Sequence, residues 1–88
     1  MAICWTYAIA SLARPYIYAG LSEDVPARFE RHQAGHERTT KPYRPFVLLL
    51  TEEHADRATA RVREKFLKTG QGKEFLKSLR DARIVIER

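Results

Sequence analysis

Few side chains in this sequence have the type and spacing to do chemistry. His32 and His36 stand four apart, the spacing of a helical metal pair, but Gly35 interrupts the turn and no HExxH pattern surrounds them. Ser11, Ser22 and Ser78 lack the context of a nucleophile elbow. Gly70-Gln71-Gly72-Lys73 lacks the spacing of a phosphate-cradling Walker loop. The single cysteine, Cys4, excludes an internal disulfide framework and a thiolate zinc site; beside Trp5 it reads as a small buried apolar group. Among the other polar groups, Tyr7 and Tyr18 stand eleven residues apart, and Arg28 and His32 one helical turn apart. A guanidinium offers a planar fork that suits phosphate, and a neutral imidazole can take a proton from a tyrosine. Taken singly, strand tyrosines are core residues and helix arginines are solvated, so only their combination carries weight.

The charge points the same way as the guanidinium. Eleven Arg and five Lys against eleven acids give +5, with a pI near 9.7. Residues 57–83 hold nine basic groups against Glu64, Glu74 and Asp81, a net of +6, and residues 28–44 a net of +3; residues 1–27 and 45–56 together come to −4. Two basic segments on a mildly acidic frame suit a polyanion. With 88 residues the chain is one small domain, residues 1–88. No apolar run approaches the roughly 20 residues of a membrane span, and the N-terminus lacks the basic region of a signal peptide, so a soluble, cytoplasmic protein is expected.

The elements that must position these groups follow from periodicity. Residues 3–11 and 16–20 read as two strands of a hairpin with Pro15 in the loop, where no ladder donor is needed. Trp5, Tyr7 and Ile9 share one face of the first strand, and Tyr16 and Tyr18 one face of the second. Asp24 caps a helix over 25–34, with Pro26 in its first turn, Gly35 at its end, and Val25, Phe29 and His32 on its apolar side. Residues 35–45 form a basic loop. Phe46 to Leu50 is an unbroken apolar run that reads as a central strand buried on both faces. Asp56 caps a second helix of about twelve residues ending before Gly70, and Gln71 or Gly72 opens a third with Phe75, Leu76 and Leu79 buried. Ile84-Val85-Ile86 fits either a late strand or a loose end. The order β-β-α-β-α-α gives an α+β fold, a three-stranded antiparallel sheet flanked by helices.

In that order the motifs resemble the GIY-YIG nuclease family, most closely its small, stand-alone, single-domain bacterial members. The matches are WTYAIAS, YIYAGLSEDVPARFERHQAG, TTKPYRPFVLLLTEE, ATARVREKFLK and GQGKEFLKSL, spanning about residues 5–79 and leaving 80–88 as a tail. The first motif reads Trp5-Thr6-Tyr7 without its glycine, the second reads Tyr18-Ala19-Gly20, and the chain contains no asparagine, which many relatives carry near the end of the catalytic core. The tyrosines and the second glycine are in place.

The resemblance implies a DNA endonuclease that hydrolyses phosphodiester bonds, in repair or processing, with one divalent ion, Mg2+ or Mn2+. It makes Glu64 the metal ligand, Arg28 the phosphate clamp, Tyr7 or Tyr18 the base or water-orienting group, and His32 the acceptor of the tyrosine proton. Arg31, Lys41, Arg44, Lys65, Lys68 and Lys73 are expected to contact the nucleic-acid backbone without reading sequence. Periodicity and resemblance disagree over Glu64. On a helical wheel Ala55, Ala58, Val62 and Phe66 form the apolar stripe, which leaves Glu64 an exposed partner of Arg61 or Lys68. The resemblance instead requires Ala60 and Leu67 to be a second strip turned toward the sheet. The alternative function is a nucleic-acid-binding module of the same fold that is weak or inactive in cutting, held by counterion release.

Overall fold

The first strand pairs antiparallel with both others, because the chain makes a hairpin and then returns along its other side. The structure is a computed structural model describing the backbone of residues 2–86 and the side chains as far as residue 83. Strand β1 spans Cys4–Ser11 and β2 Ile17–Ser22; helix α1 covers Val25–Ala34; β3 runs Phe46–His54; α2 is Arg57–Leu67 and α3 Gly70–Ile86. The sheet order is β2-β1-β3. β2 therefore passes through Gly20 and ends at Ser22, two residues later than the sequence suggests. The basic loop contains one 3₁₀ turn at Lys41–Tyr43.

The alternation of β1 divides the core between two faces. Tyr7 and Ile9 meet Val25 and Phe46, with Phe29 and Tyr18 packed alongside, on the face that α1 covers. Ala8 and Ala19 meet Leu67 and Leu76 from α2 and α3 on the other, where Cys4, Leu21 and Ala60 form a smaller cluster. The small residues Ala8 and Ala19 let the second helix layer close on the sheet, while the large tyrosines are kept for the first.

Local chemistry sets the helix ends. The Asp24 carboxylate accepts from the Ala27 amide at 3.1 Å, and that of Asp56 from the Thr59 amide at 2.8 Å. Gly35 takes φ +80° and, with His36, returns its amide to the carbonyls of His32 and Arg31, a left-handed stop that glycine adopts without a Cβ penalty. A side chain at Gly72 would run into the Phe66 carbonyl and the Leu67 Cα, so this glycine lets α3 turn tightly against the end of α2. Thr69 caps α3, accepting from the Gly72 amide at 3.1 Å.

Three expectations need correction. The Phe46–Leu50 run is not a central strand: β1 is central and β3 lies at an edge. Its hydrophobicity comes from helices on both faces. A bulge between Ala8 and Ile9 pairs Ala8 with Leu50 and Ile9 with Leu48, so Leu48 packs with the α1 cluster and both Leu49 and Leu50 with the other. The Gln33 carboxamide occupies the backbone of Phe46 at the start of this edge, bonding its amide at 2.8 Å and its carbonyl at 3.1 Å.

The second correction concerns α2. Val62 is 70% exposed and Phe66 37%, whereas Ala60 and Leu67 are buried. The apolar stripe lies outward, where Phe66 and Phe75 flank the Arg63 guanidinium at 5.1 and 5.6 Å, and Arg63 is bonded to Glu52 at 2.7 and 3.1 Å. Phe75, expected in the core, thus belongs to a surface cation–aromatic cluster, and Leu76 with Leu79 make the buried side of α3. Third, α3 starts at Gly70 and its backbone continues through Ile84–Ile86, neither strand nor loose end; residues 87 and 88 lie outside the described part.

Candidate active site

Gly20 is the point at which the two phenols meet. It pairs with Tyr7 across the hairpin, and a Cβ there would lie 2.9 Å from the Tyr7 hydroxyl and 3.0 Å from the Tyr18 ring. The rings of Tyr7 and Tyr18 are 6.3 Å apart, and His32 from α1 sits 5.8 Å from one and 5.2 Å from the other. The helix end prepared by Gly35 and the apolar positions Val25 and Phe29 aim His32 inward, where it is 2% exposed.

Tyr7, His32 and Thr40 form a buried chain. The Tyr7 hydroxyl lies 2.8 Å from His32 Nε2, and His32 Nδ1 lies 2.7 Å from Thr40 Oγ1. The Thr40 hydroxyl donates to the Glu37 carbonyl at 3.5 Å, which leaves its oxygen to accept from Nδ1–H. With Thr40 accepting from Nδ1–H, Nε2 is left to accept from Tyr7.

Burial and neighbouring charges keep this chain neutral. The Tyr7 phenol is pushed well above its ordinary range, first by burial and then by Tyr18, with Arg28 opposing. Tyr18 is also raised, by burial and by the nearby Glu64 carboxylate, again opposed by Arg28. His32 is lowered, chiefly by burial; Glu37 works against this, and Arg28 and Arg31 add to it. At neutral pH the imidazole is an unprotonated acceptor and Tyr7 a protonated donor. The half-buried Arg28 bears on both phenols and the imidazole, and makes no ion pair among the described residues.

Glu64 reaches this group from the other helix layer. The buried Thr6 hydroxyl donates to the Ala60 carbonyl at 3.0 Å, pinning α2 one turn before Glu64 so that Ala60 and Leu67 face the sheet. That rotation turns Glu64 toward the β2 edge, where its charge acts on Tyr18. Its side chain is 15% exposed, and its only ion pair among the described residues is Lys68 at 3.8 Å.

All five residues expected to do chemistry, Tyr7, Tyr18, Arg28, His32 and Glu64, thus fall in one neighbourhood. The backbone-contact candidates do not form one patch. Arg31 is committed to Glu37 at 2.8 Å, and Arg44 and Lys41 line a shallow groove beside Gln33. Lys65 is exposed on α2, and Lys68 and Lys73 line a groove between β2 and α3. Sequence reasoning missed Thr40, because a threonine in a basic loop carries no mark of being buried against a histidine. It also missed Lys77 and Arg80, which share a helical face with Lys73 and were legible from that spacing.

The model of the GIY-YIG catalytic domain matches residues 3–77. This chain belongs to the GIY-YIG family. It carries a nuclease-type domain whose family consists of endonucleases, and its substrate class is nucleic acid. No curated protein and no solved structure matches it. No helix among the described residues is long and apolar enough to cross a membrane.

The donor set bears on the metal that the resemblance implies. Among the described residues no three His, Cys, Asp or Glu side chains cluster in a way that could hold an ion, which does not fit zinc. A single, mostly buried carboxylate with one loose ion pair fits a hard ion that keeps most of its waters and borrows oxygens from phosphate.

Proposed function

We propose that this GIY-YIG protein is a divalent-metal-dependent endonuclease that hydrolyses DNA phosphodiester bonds, with Glu64 holding a single Mg2+ or Mn2+. The observation that carries this reading is the placement of Glu64 beside Tyr18, with the Lys68 ammonium 3.8 Å from its carboxylate and 6.0 Å from the Tyr18 ring, although it belongs to a helix on the opposite sheet face from His32. A structural acid on a basic helix has no reason to be 15% exposed with one distant partner.

Arg28, free of any acid partner among the described residues, clamps the phosphate and offsets the charge that develops on its oxygens. Tyr7 receives the proton of the attacking water as it passes its own to His32 Nε2. The concerted transfer matters because a free phenolate at Tyr7 is disfavoured by burial, whereas the neutral imidazole 2.8 Å away is an open acceptor. Thr40 holds the imidazole in the tautomer that this transfer needs. Tyr18, on which the charges of both Arg28 and Glu64 act, orients the water. Held at Glu64, the ion supplies charge stabilisation for the leaving oxygen.

Plasmid nicking with and without magnesium tests this. Glu64→Ala and Glu64→Gln are expected to abolish metal-dependent nicking and leave the thermal melt within a few degrees of wild type. Nicking that survives in both variants removes the metal role. A wild type that binds DNA with a steep salt dependence but never nicks it establishes the binding module instead.

A further inference from the structure

A groove of about 320 Å³ lies on the side of β2 away from α1, between that strand and α3. Its floor is apolar: Ile17, Ala19, Leu67 and Leu76. Its walls carry Lys68, Lys73, Lys77 and Arg80; among the described residues no carboxylate lines it, while Lys77 pairs with Glu74 at 3.4 Å and Arg80 with Asp81 at 3.1 Å. Lys73, Lys77 and Arg80 follow at i, i+4 and i+7 and so share one face of α3. Tyr16, held in a stack on Tyr43 at 3.8 Å and 7°, stands at the hairpin end. At the other end Lys68 lies 3.8 Å from Glu64 and 6.0 Å from the Tyr18 ring, so the groove opens directly from the proposed site.

We infer that this groove is a subsite for one unpaired nucleotide flanking the phosphate under attack. The inference rests on the nuclease reading and adds what the substrate must offer beside the scissile bond. Cations alone would serve any polyanion. An apolar floor beneath them calls for a ligand with an apolar face a few ångströms from its charge, which is a nucleobase or sugar on its phosphate. A base inside a duplex is stacked between its neighbours and shows the protein only groove edges, so the floor is reached only by an unpaired strand. The phosphates then meet Lys73, Lys77 and Arg80 along α3.

Fluorescence polarisation in EDTA, where no strand is cut, tests this with a labelled oligothymidylate and a blunt duplex over a salt series. Lys73→Glu/Lys77→Glu places the reversal on two exposed side chains of the groove. Arg57→Glu/Arg61→Glu is the charge-matched control on exposed α2 positions outside it. The groove reversal is expected to weaken single-strand binding at least tenfold and to flatten the logarithmic salt slope by about 1.4, two contacts at about 0.7 each. The control should change single-strand binding less than threefold, and both variants should change duplex binding alike. Equal weakening of the single strand by both reversals overturns the subsite, as does a groove reversal that weakens the duplex as much as the single strand. In either case a wild type that still binds and nicks leaves the nuclease reading standing. A wild type that binds neither oligonucleotide removes that reading and the subsite together.

Discussion

Tyr7→Phe and Tyr18→Phe separate two phenols that the sequence leaves equivalent. Removing the Tyr7 hydroxyl leaves His32 Nε2, buried at 2% exposure, without its 2.8 Å donor. An unsatisfied buried acceptor costs about 1–3 kcal/mol. A chain of 88 residues has in all about 4–13 kcal/mol of stability. With about 4–8 °C of melting temperature per kcal/mol in a domain of this size, Tyr7→Phe should melt roughly 5–20 °C below wild type. Tyr18 is only half-buried, so its phenylalanine variant should melt within a few degrees of wild type. Rates diverge as well. Losing the group that passes the water proton to His32 should slow nicking about 10²–10⁴-fold. Losing a water-orienting hydroxyl should cost less. The assay is single-turnover nicking at 15 °C, below the melt of the weaker variant, with circular dichroism confirming the fold. Nicking by Tyr7→Phe within threefold of wild type, alongside loss of nicking in Tyr18→Phe, would refute the assignment of the proton path to Tyr7.

Two further outcomes follow from the same chain. Because the fold lowers the His32 pKa, the unfolded chain takes up a proton first as pH falls; stability is full above about 6.5 and is lost below it, toward the folded value. Urea melts at pH 7 and 5.5 should show this loss in wild type but a flatter dependence in His32→Gln, and nicking should persist below the ordinary histidine range before declining, because the folded imidazole stays neutral there; equal slopes in both proteins exclude His32 as the titrating group. Gly20→Ala puts a methyl 2.9 Å from the Tyr7 hydroxyl, and Tyr7, fully buried, has no room to retreat. The substitution should cost about 1–3 kcal/mol by overpacking and slow nicking; an unchanged melt with a full rate shows that the phenol spacing is unconstrained.

The fold was largely legible because its signals are local. Asp24, Pro26 and Gly35 bracket α1 within a residue, and Asp56 starts α2, since caps act through bonds to the adjacent turn. Errors arose where a distant partner decides. The apolar run Phe46–Leu50 carries the same letters whether it sits between two strands or at an edge beneath helices on both faces, and only topology separates these cases. On α2, hydrophobicity alone puts Phe66 in the apolar stripe and cannot anticipate an arginine that takes two aromatic rings and a carboxylate at the surface.

The sequence names candidate residues for the site but not how the chain brings them together, for a reason that lies in the sheet itself. Among the described residues the sheet has three strands, so the central one is one neighbour away from a free edge. Tyr7 on β1 and Tyr18 on β2 can therefore share one face with His32, while an acid from the opposite helix layer still comes to Tyr18 past the β2 edge. A wider sheet would hold the two layers apart. Hydrophobic periodicity on α2 points to Val62 and Phe66, which lie outward; the resemblance alone turns toward the sheet the two residues that are buried, Ala60 and Leu67. Glu64 stands between those two positions along α2 and reads as ordinary surface acid by every local rule. Its placement depends on the small contacts that set the helix rotation, the Thr6 bond to the Ala60 carbonyl above all. That bond ties the rotation of α2 to the strand that bears Tyr7, so the geometry joining carboxylate and phenols is fixed through β1 rather than through α2 alone.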